Sequence, residues 1–191
     1  MNMMNLPFSP WVARFAPLAR PGEALDLACG NGRHARLLAR QGLQVLALDR
    51  NPDALVNAAG PQIVTMEYDL EAAGSPWPFE AGRFAAIVVT NYLHRPLFAQ
   101  LAASLRPDGI LIYETFAQGN ELYGKPSNPA FLLAPGELLA LARAGGLQVL
   151  AYEDGHVANP HPAQVQRLCA VGPGYVKTEA RLDHIVVRNE P

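Results

Sequence analysis

The stretch LDLACGNGRHA, Leu25 to Ala35, decides the fold of this 191-residue chain. It lies between an apolar run that predicts a strand over Glu23–Ala28 and an amphipathic run that predicts a helix over Arg33–Gln41. Gly30 and Gly32 let the backbone turn sharply and approach a ligand with no Cβ in the way. The helix begins with unpaired N–H groups at the same point. The stretch therefore predicts a strand, a ligand-binding turn and a helix.

Strand-like and helix-like runs alternate through the rest of the chain. Phe84–Thr90 is continuously apolar, as expected for a central parallel strand that is covered on both faces. The other predicted strands are Gln44–Leu48, Gln62–Glu67, Ile110–Glu114, Leu147–Tyr152 and Gln164–Val171. The other predicted helices are Pro52–Ala59, Leu97–Leu105 and Pro135–Ala144. This order predicts an α/β fold of three layers: a doubly wound, Rossmann-like, mainly parallel seven-stranded sheet between helices. No helix separates the last two strands, so the last one is expected to be antiparallel.

Composition and charge restrict the class of protein. The chain is 50% hydrophobic and 17% charged, with a net charge of −2, which is ordinary for one globular domain with a substantial core. Its Lys and Arg residues are scattered and form no basic surface for nucleic acid. No apolar run reaches the roughly 18 residues of a membrane span, and the two cysteines fit a reducing compartment. We therefore expect a cytoplasmic domain with no nucleic-acid or membrane partner.

The domain is expected to consist of a core and two flanking segments. The core spans residues 23–171, after an N-terminal helical segment over residues 1–22 and before an extension over residues 172–191. The sequence does not decide whether the extension adds an edge strand at His184–Arg188 or contacts a partner. It does not decide the oligomeric state either. The long loop Phe116–Leu133 is typical of a lid or binding loop.

Three acidic residues lie near the predicted strand ends. Asp26 is four residues before Gly30, Asp49 follows Gly30 by 19 residues at the end of the second strand, and Asp69 comes after the third strand. Ligands of open α/β sheets bind outside the carboxyl ends of the strands, where an acid at the end of strand two can accept hydrogen bonds from ribose hydroxyls. A carboxylate at Asp69 could accept from an exocyclic amine, and the N–H of Leu70 could serve the neighbouring ring acceptor.

The glycine spacing also fits a dinucleotide site, for which it is weak evidence by itself. An acid at Asp26 is unfavourable beside a pyrophosphate and suits a ligand with an ammonium group and no phosphates. None of the six tyrosines is followed four residues later by a lysine, so the Tyr-xxx-Lys pair of one oxidoreductase class is absent. These features favour a nucleoside ligand without phosphates.

With these motifs the chain resembles the class I S-adenosylmethionine-dependent methyltransferases, in particular the small single-domain type that includes the tellurite-resistance methyltransferases. The matching pieces are LDLACGNGRHA, ALDRN at the end of strand two, EYDLE after strand three and VVTNYLHRP after strand four. The resemblance implies the class I methyltransferase fold, S-adenosylmethionine as cofactor and S-adenosylhomocysteine as product. It also implies that the protein is an enzyme that transfers the methyl group to an acceptor.

The resemblance assigns roles by position. It implies that Asp26 and the backbone of Ala28–Gly32 hold the methionine part of the cofactor, that Asp49 holds the ribose, and that Asp69 and Leu70 meet the adenine. Thr90, Asn91 and Tyr92 would line the sulfonium. The expected cofactor-binding residues are Asp26, Ala28, Cys29, Gly30, Asn31, Gly32, Asp49, Arg50, Asp69, Leu70, Thr90 and Asn91.

Substrate chemistry is expected in the segment NYLHRP after strand four. Tyr92 and His94 are the candidate catalytic residues, although both could merely cap the strand and the next helix. A general base is needed only if the acceptor must lose a proton. Because the sulfonium methyl is already activated, in-line positioning could supply most of the rate. Glu114, Tyr123 and Lys125 are further candidates for contact with the acceptor.

The acceptor is expected to be a small molecule. Relatives that methylate DNA bases or glutamine amides carry Asn or Asp followed by Pro-Pro-aromatic, where this chain has Asn91-Tyr92-Leu93-His94. His156 and His161 have no further ligands at a recognisable spacing, so no metal is expected. Two alternatives remain open: a nicotinamide-dependent oxidoreductase on a short Rossmann domain, and a catalytically silent domain that binds S-adenosylmethionine.

Overall fold

The computed structural model describes residues 8–182 of the chain. The strands are β1 (Glu23–Leu27), β2 (Gln44–Asp49), β3 (Ile63–Glu67), β4 (Phe84–Thr90), β5 (Leu105–Phe116), β6 (Gln148–Val157) and β7 (Ala163–Val171). The α-helices are α1 (Pro10–Phe15), α2 (Arg33–Arg40), α3 (Pro52–Ala58), α4 (Phe98–Ser104) and α5 (Glu137–Ala144). Within this part of the chain, no helix is long and apolar enough to cross a membrane.

One mixed sheet organises the described residues. Its seven strands lie in the order β3-β2-β1-β4-β5-β7-β6. The strands β1 to β5 pair in parallel, and β7 is antiparallel to both of its neighbours, β5 and β6. The prediction of a mainly parallel seven-stranded sheet with an antiparallel last strand is confirmed.

Alternating residues of the central strand point into two separate apolar clusters. Every residue of β4 is buried. Ile87 and Val89 pack into the cluster under α4 and α5, whereas Ala86 and Val88 pack into the cluster under α1, α2 and α3. This two-sided burial explains why the stretch is apolar at every position rather than at every second one. It also fixes which side chains at the carboxyl end of the sheet face α1 and α2.

Two strands are longer than their sequence patterns predict. β5 begins at Leu105 instead of Ile110, because Leu105 already pairs with Phe84 of β4 before an irregularity that ends where Ile110 pairs with Ala86. Within that irregularity, a Cβ on Gly109 would lie 2.9 Å from the carbonyl oxygen of Phe84. β6 continues to Val157 instead of ending at Tyr152. Three of its five added residues, Glu153, Asp154 and His156, are polar, and they lie on the edge strand, where one side of the backbone faces solvent and polar side chains are tolerated.

The segments on either side of the core pack against it. In the N-terminal segment, Trp11 and Phe15 are buried with their ring centroids 4.6 Å apart. In the C-terminal extension, the hydroxyl of Tyr175 donates a 3.1 Å hydrogen bond to the carbonyl of Leu18, so the two segments meet beside the sheet. The candidate edge strand His184–Arg188 lies outside the described residues.

Candidate active site

The turn between β1 and α2 contains three residues in the left-handed region. These are Ala28 at φ 54°, Gly30 at φ 52° and Gly32 at φ 72°. A Cβ on Gly32 would lie 2.6 Å from the Cβ of Ala58, so this glycine lets α2 pack against α3. A Cβ on Gly30 would meet no atom within 4 Å. The two glycines therefore differ: Gly32 is required by helix packing, and Gly30 borders open space where a ligand can approach the backbone.

The carboxylate of Asp49 faces this turn. Its Oδ2 accepts a 2.8 Å hydrogen bond from the amide of Gly30, and its Oδ1 accepts a 2.9 Å hydrogen bond from the amide of Asn51. The side chain of Asn51 caps α3 by accepting from the amides of Asp53 and Ala54. Asp49 is therefore not the cap of α3. Its carboxylate is held beside Gly30, at the carboxyl ends of β1 and β2.

Asp26 lies beneath the same turn and is 1% exposed. Its Oδ2 accepts a 2.8 Å hydrogen bond from the amide of Ala35 near the start of α2. Burial, reinforced by the charge of Asp49, raises the pKa of Asp26 to about 7, although the Ala35 amide and the charge of Arg33 act in the opposite direction. A cation that binds near this carboxyl would favour its ionised form.

Cys29, inside the turn, is buried in the cluster under α1, α2 and α3. Burial raises the pKa of the Cys29 thiol, and the negative charge of Asp26 raises it further. The thiol therefore stays protonated near neutral pH and acts as a small packing group rather than a nucleophile.

The segment that follows β4 is fixed by the neighbouring strand. The amide of Asn91, which has φ 54°, donates a 2.9 Å hydrogen bond to the carbonyl of Glu114. The hydroxyl of the buried Tyr113 donates a 2.9 Å hydrogen bond to the carbonyl of Tyr92. Sequence patterns did not single out Tyr113, because an aromatic residue inside an apolar strand is usually a packing residue. Its hydroxyl holds the backbone that carries both catalytic candidates.

The two catalytic candidates are both half-buried. Burial raises the pKa of the Tyr92 phenol, and the negative charge of Glu71 raises it further, so the phenol keeps its proton at neutral pH. Tyr92 is therefore a hydrogen-bond donor and not a base. The side chain of His94 does not cap the short 3₁₀ turn Arg95–Leu97 that follows it.

The residues expected to meet the nucleoside lie at the ends of β2 and β3. Asp69 is exposed, and its Oδ1 accepts a 2.9 Å hydrogen bond from the amide of Glu71, while Leu70 packs against the core. Arg50 is exposed directly after β2. The positive charge of Arg50 acts against the rise in the pKa of Tyr92.

Arg95 holds the end of the long loop Phe116–Leu133 through its guanidinium. Its Nε and Nη2 donate to both carboxylate oxygens of Glu137, at 2.6 and 2.9 Å. Its Nη1 and Nη2 donate to the carbonyls of Ala130 and Leu132, at 2.7 and 2.9 Å. A single guanidinium thus ties the segment after β4 to the end of the loop and to the start of α5.

The other acceptor candidates have partners of their own. Glu114 is 9% exposed, and its Oε2 accepts a 2.6 Å hydrogen bond from Nε of Arg167. Tyr123 lies against His156, with ring centroids 4.9 Å apart, and Lys125 is exposed on the same loop. Among the described residues, no three His, Cys, Asp or Glu side chains cluster as metal ligands.

A buried polar group that the sequence patterns missed links the N-terminal segment to this edge of the sheet. Ser9 donates its amide to Nε2 of His34 at 3.0 Å and its hydroxyl to Oε2 of Glu114 at 3.1 Å. The other ring nitrogen of His34, Nδ1, lies 3.3 Å from Oγ1 of Thr90. Ser9 and His34 are 25 residues apart in the chain, and no local pattern connects them.

The different roles of the two glycines predict different consequences of replacement. We expect Gly32→Ala to lower the free energy of unfolding by more than about 2 kcal/mol, because its Cβ would clash with α3. Gly30→Ala should cost about 1 kcal/mol for its left-handed backbone. Gly30→Ala should nevertheless weaken binding of S-adenosylhomocysteine. Chemical denaturation and calorimetric titration measure the two effects, and wild-type affinity of Gly30→Ala would contradict its place at the cofactor.

The raised pKa of Asp26 predicts a dependence of stability on pH. Between the unfolded value of 3.8 and the folded value of about 7, the folded state binds more protons. The free energy of unfolding should therefore fall as pH rises through this window, by on the order of 3 kcal/mol, and level off above it. The neutral Asp26→Asn should lack this loss, and Asp53→Asn on the exposed surface is the control. Parallel pH profiles of wild type and Asp26→Asn in urea denaturation would contradict the assignment.

The brace at Arg95 predicts how readily the long loop opens. We expect chymotrypsin to cut after Tyr123 or Phe131 about five- to tenfold faster in Arg95→Lys, since lysine cannot reproduce the paired hydrogen bonds. Arg143→Lys, at the exposed end of α5, is the matched control. Equal rates of cleavage in the two variants would show that Arg95 does not hold the loop.

Residues 24–109 match the family model of the methyltransferase domain. None of the curated proteins compared with the chain matches it. Among solved structures, TehB from Haemophilus influenzae is similar with a TM-score of 0.69 and 20% identity over 86% of this chain. The similar region is 62% of the length of that protein.

Two further structures show the same fold. An S-adenosylmethionine-dependent methyltransferase from Mesorhizobium loti has a TM-score of 0.66 and 18% identity, over 84% of this chain and 96% of its own. A geranyl diphosphate C-methyltransferase from Streptomyces coelicolor, in complex with Mg²⁺, geranyl diphosphate and S-adenosylhomocysteine, has a TM-score of 0.62 and 16% identity, over 83% of this chain and 78% of its own. The chain therefore carries a match to the methyltransferase domain over residues 24–109 and shares the class I fold with solved S-adenosylmethionine-dependent methyltransferases.

Proposed function

We propose that this protein is an S-adenosylmethionine-dependent methyltransferase that transfers the methyl group to a small-molecule acceptor by direct displacement. The observation that carries the proposal is the cradle at Gly30. A left-handed glycine with open space on its Cβ side lies 2.8 Å from a carboxylate oxygen of Asp49, at the carboxyl edge of the sheet. Ligands of open α/β sheets bind at this edge.

The residues of the cradle fit the cofactor. In this proposal, Asp49 accepts hydrogen bonds from the ribose hydroxyls, and Asp69 with the amide of Leu70 meets the adenine. Asp26 lies under the turn and favours a cationic ligand by charge. When bound, S-adenosylmethionine supplies an electrophilic methyl group on a cationic sulfonium.

The acceptor would be held by the segment after β4. Asn91 and Tyr92 lie on backbone that Glu114 and Tyr113 fix by hydrogen bonds, so the backbone of this segment is held in place. Tyr92 donates a hydrogen bond from its protonated phenol, and His94 takes the proton of an acceptor that must lose one. Positioning of the acceptor in line with the methyl group supplies most of the rate.

The surroundings of the site favour a small acceptor. Ser9 and Trp11 hold the N-terminal segment against Glu114 of β5 and the Leu168 carbonyl of β7, and Arg95 holds the long loop next to the segment after β4. Both flanking segments are thus anchored next to the edge of the sheet at which the site is proposed. The net charge of −2 is unfavourable for nucleic acid. The geranyl diphosphate C-methyltransferase of Streptomyces coelicolor, which has a similar fold, acts on a small molecule.

Two buried cysteines without a disulfide agree with a cytoplasmic location.

The placement of the cofactor is tested by calorimetric titration of S-adenosylhomocysteine into wild type, Asp49→Asn and the control Asp53→Asn. Asp49→Asn keeps the size of the side chain but loses its charge and one acceptor, so we expect about a tenfold or greater loss of affinity. Asp53 is exposed on α3, and Asp53→Asn should bind like wild type. Equal affinity of all three proteins for S-adenosylhomocysteine would contradict the proposal that the cofactor binds beside Gly30 and Asp49.

The class of acceptor is tested by following the label from methyl-labelled S-adenosylmethionine. Transfer to members of a panel of small oxygen, nitrogen and sulfur nucleophiles, and not to tRNA or protein, is the expected result. Label found only in a macromolecule would overturn the small-molecule proposal. Tight cofactor binding with no transfer to any acceptor would favour a catalytically silent domain instead.

A further inference from the structure

A row of polar side chains crosses the sheet at its carboxyl edge. Thr90 of β4 is paired with Glu114 of β5, and Glu114 is paired with Arg167 of β7. Directly paired residues share a face of the sheet, and Thr90 follows Val88 on the face that α1 and α2 cover. His34 of α2 is 1% exposed and lies over this row. His34 has no role in the cofactor and acceptor contacts proposed above.

The contacts of His34 determine where its proton is. A backbone amide can only donate, so Nε2, which receives the amide of Ser9 at 3.0 Å, must be unprotonated. Burial lowers the pKa of His34 to about 3, and the charge of Arg33 acts in the same direction, so the ring is neutral at physiological pH. A neutral imidazole with an unprotonated Nε2 carries its hydrogen on Nδ1. That N–H faces Oγ1 of Thr90, 3.3 Å away.

The hydroxyl of Thr90 is oriented as a result. Because Oγ1 accepts from His34, the proton of the hydroxyl cannot also point to His34 and is directed elsewhere. Thr90 is the last residue of β4 and is 9% exposed, next to the end of β1 where the methionine part of the cofactor is proposed to bind. In that part of the cofactor, the ammonium and the sulfonium cannot accept a hydrogen bond, whereas the carboxylate can.

We propose that His34 is a positioning residue that holds the Thr90 hydroxyl as a hydrogen-bond donor to the carboxylate of the methionine moiety. The inference rests on the proposed placement of the cofactor at the Gly30 cradle and assigns recognition of one of its groups. Ser9 completes the arrangement, because its amide selects the tautomer of His34. The N-terminal segment, which carries Ser9, thereby contributes to cofactor recognition without contacting the cofactor.

Two substitutions of His34 separate its two hydrogen bonds. In His34→Gln, the amide oxygen can take the place of Nε2 and accept from Ser9, but nothing replaces the donor to Thr90. In His34→Asn, the amide nitrogen can take the place of Nδ1 and donate to Thr90, but the Ser9 amide loses its acceptor. Thr90→Val removes the hydroxyl altogether, and Thr90→Ser keeps it as the conservative control.

The experiment is calorimetric titration of two ligands, S-adenosylhomocysteine and 5′-methylthioadenosine, which lacks the amino-acid carboxylate. We expect His34→Gln and Thr90→Val to bind S-adenosylhomocysteine about five- to tenfold more weakly, the size of one lost hydrogen bond. His34→Asn and Thr90→Ser should stay within about twofold of wild type. All four variants should bind 5′-methylthioadenosine like wild type, which a general loss of structure would not allow.

Stability and spectroscopy provide independent readouts. His34→Asn should be the less stable of the two His34 variants in urea denaturation, because it leaves a buried amide without an acceptor. The ¹⁵N shifts of the wild-type His34 ring should report a neutral ring protonated on Nδ1 at neutral pH.

Several results would overturn the inference. These are equal losses of affinity for both ligands, unchanged binding of S-adenosylhomocysteine by His34→Gln, and a His34 ring protonated on Nε2. Wild-type protein that fails to bind S-adenosylhomocysteine, or binds it equally well as Asp49→Asn, would instead show that the proposed placement of the cofactor is wrong, and the inference would fail with it.

Discussion

The Asp49 carboxylate accepts hydrogen bonds from the amides of Gly30 and Asn51, and the first of these connects the end of β2 to the turn after β1. A carboxylate that accepts two backbone N–H groups is held in one orientation, and it holds the turn in return. The left-handed conformation at Gly30 costs little because glycine has no Cβ, and the hydrogen bond to Asp49 fixes the direction of the Gly30 amide within it. Once the turn is fixed, α2 starts at a defined place, packs against α3 at Gly32 and brings His34 over the end of β4.

The fold could be predicted from sequence because its signals are local. The continuous apolar run Phe84–Thr90 and the alternation of strands and helices depend on neighbouring residues, and the structure confirms the sheet that they predict. The prediction was less accurate at β6, where the apolar pattern ends at Tyr152. There the pairing with β7, and not the local pattern, extends the strand to Val157.

The polar contacts around the site could be predicted only in part. Asp26 and Asp49 were recognised because their position relative to Gly30 is a short-range pattern. The partners of Arg95 lie 35 to 42 residues further along the chain, and Ser9 meets Glu114 across 105 residues. Contacts of this range are set by the three-dimensional fold, and a single sequence contains no spacing that reveals them. For this reason the sequence does not show that the Arg95 guanidinium holds the long loop.

Burial gives the site its electrostatic character. The same loss of water raises the pKa of Asp26 and lowers the pKa of His34, because burial disfavours the charged form of either group. The face of the sheet under α2 therefore holds an acid and a base that are both close to neutral before a ligand arrives. Binding of a cationic ligand would ionise Asp26 at little cost, since its pKa of about 7 is close to physiological pH. His34, with a pKa of about 3, would remain neutral and keep its hydrogen-bonding direction. Asp26 can thus become charged when a cationic ligand binds, while His34 keeps the same protonation state and the same hydrogen-bond directions.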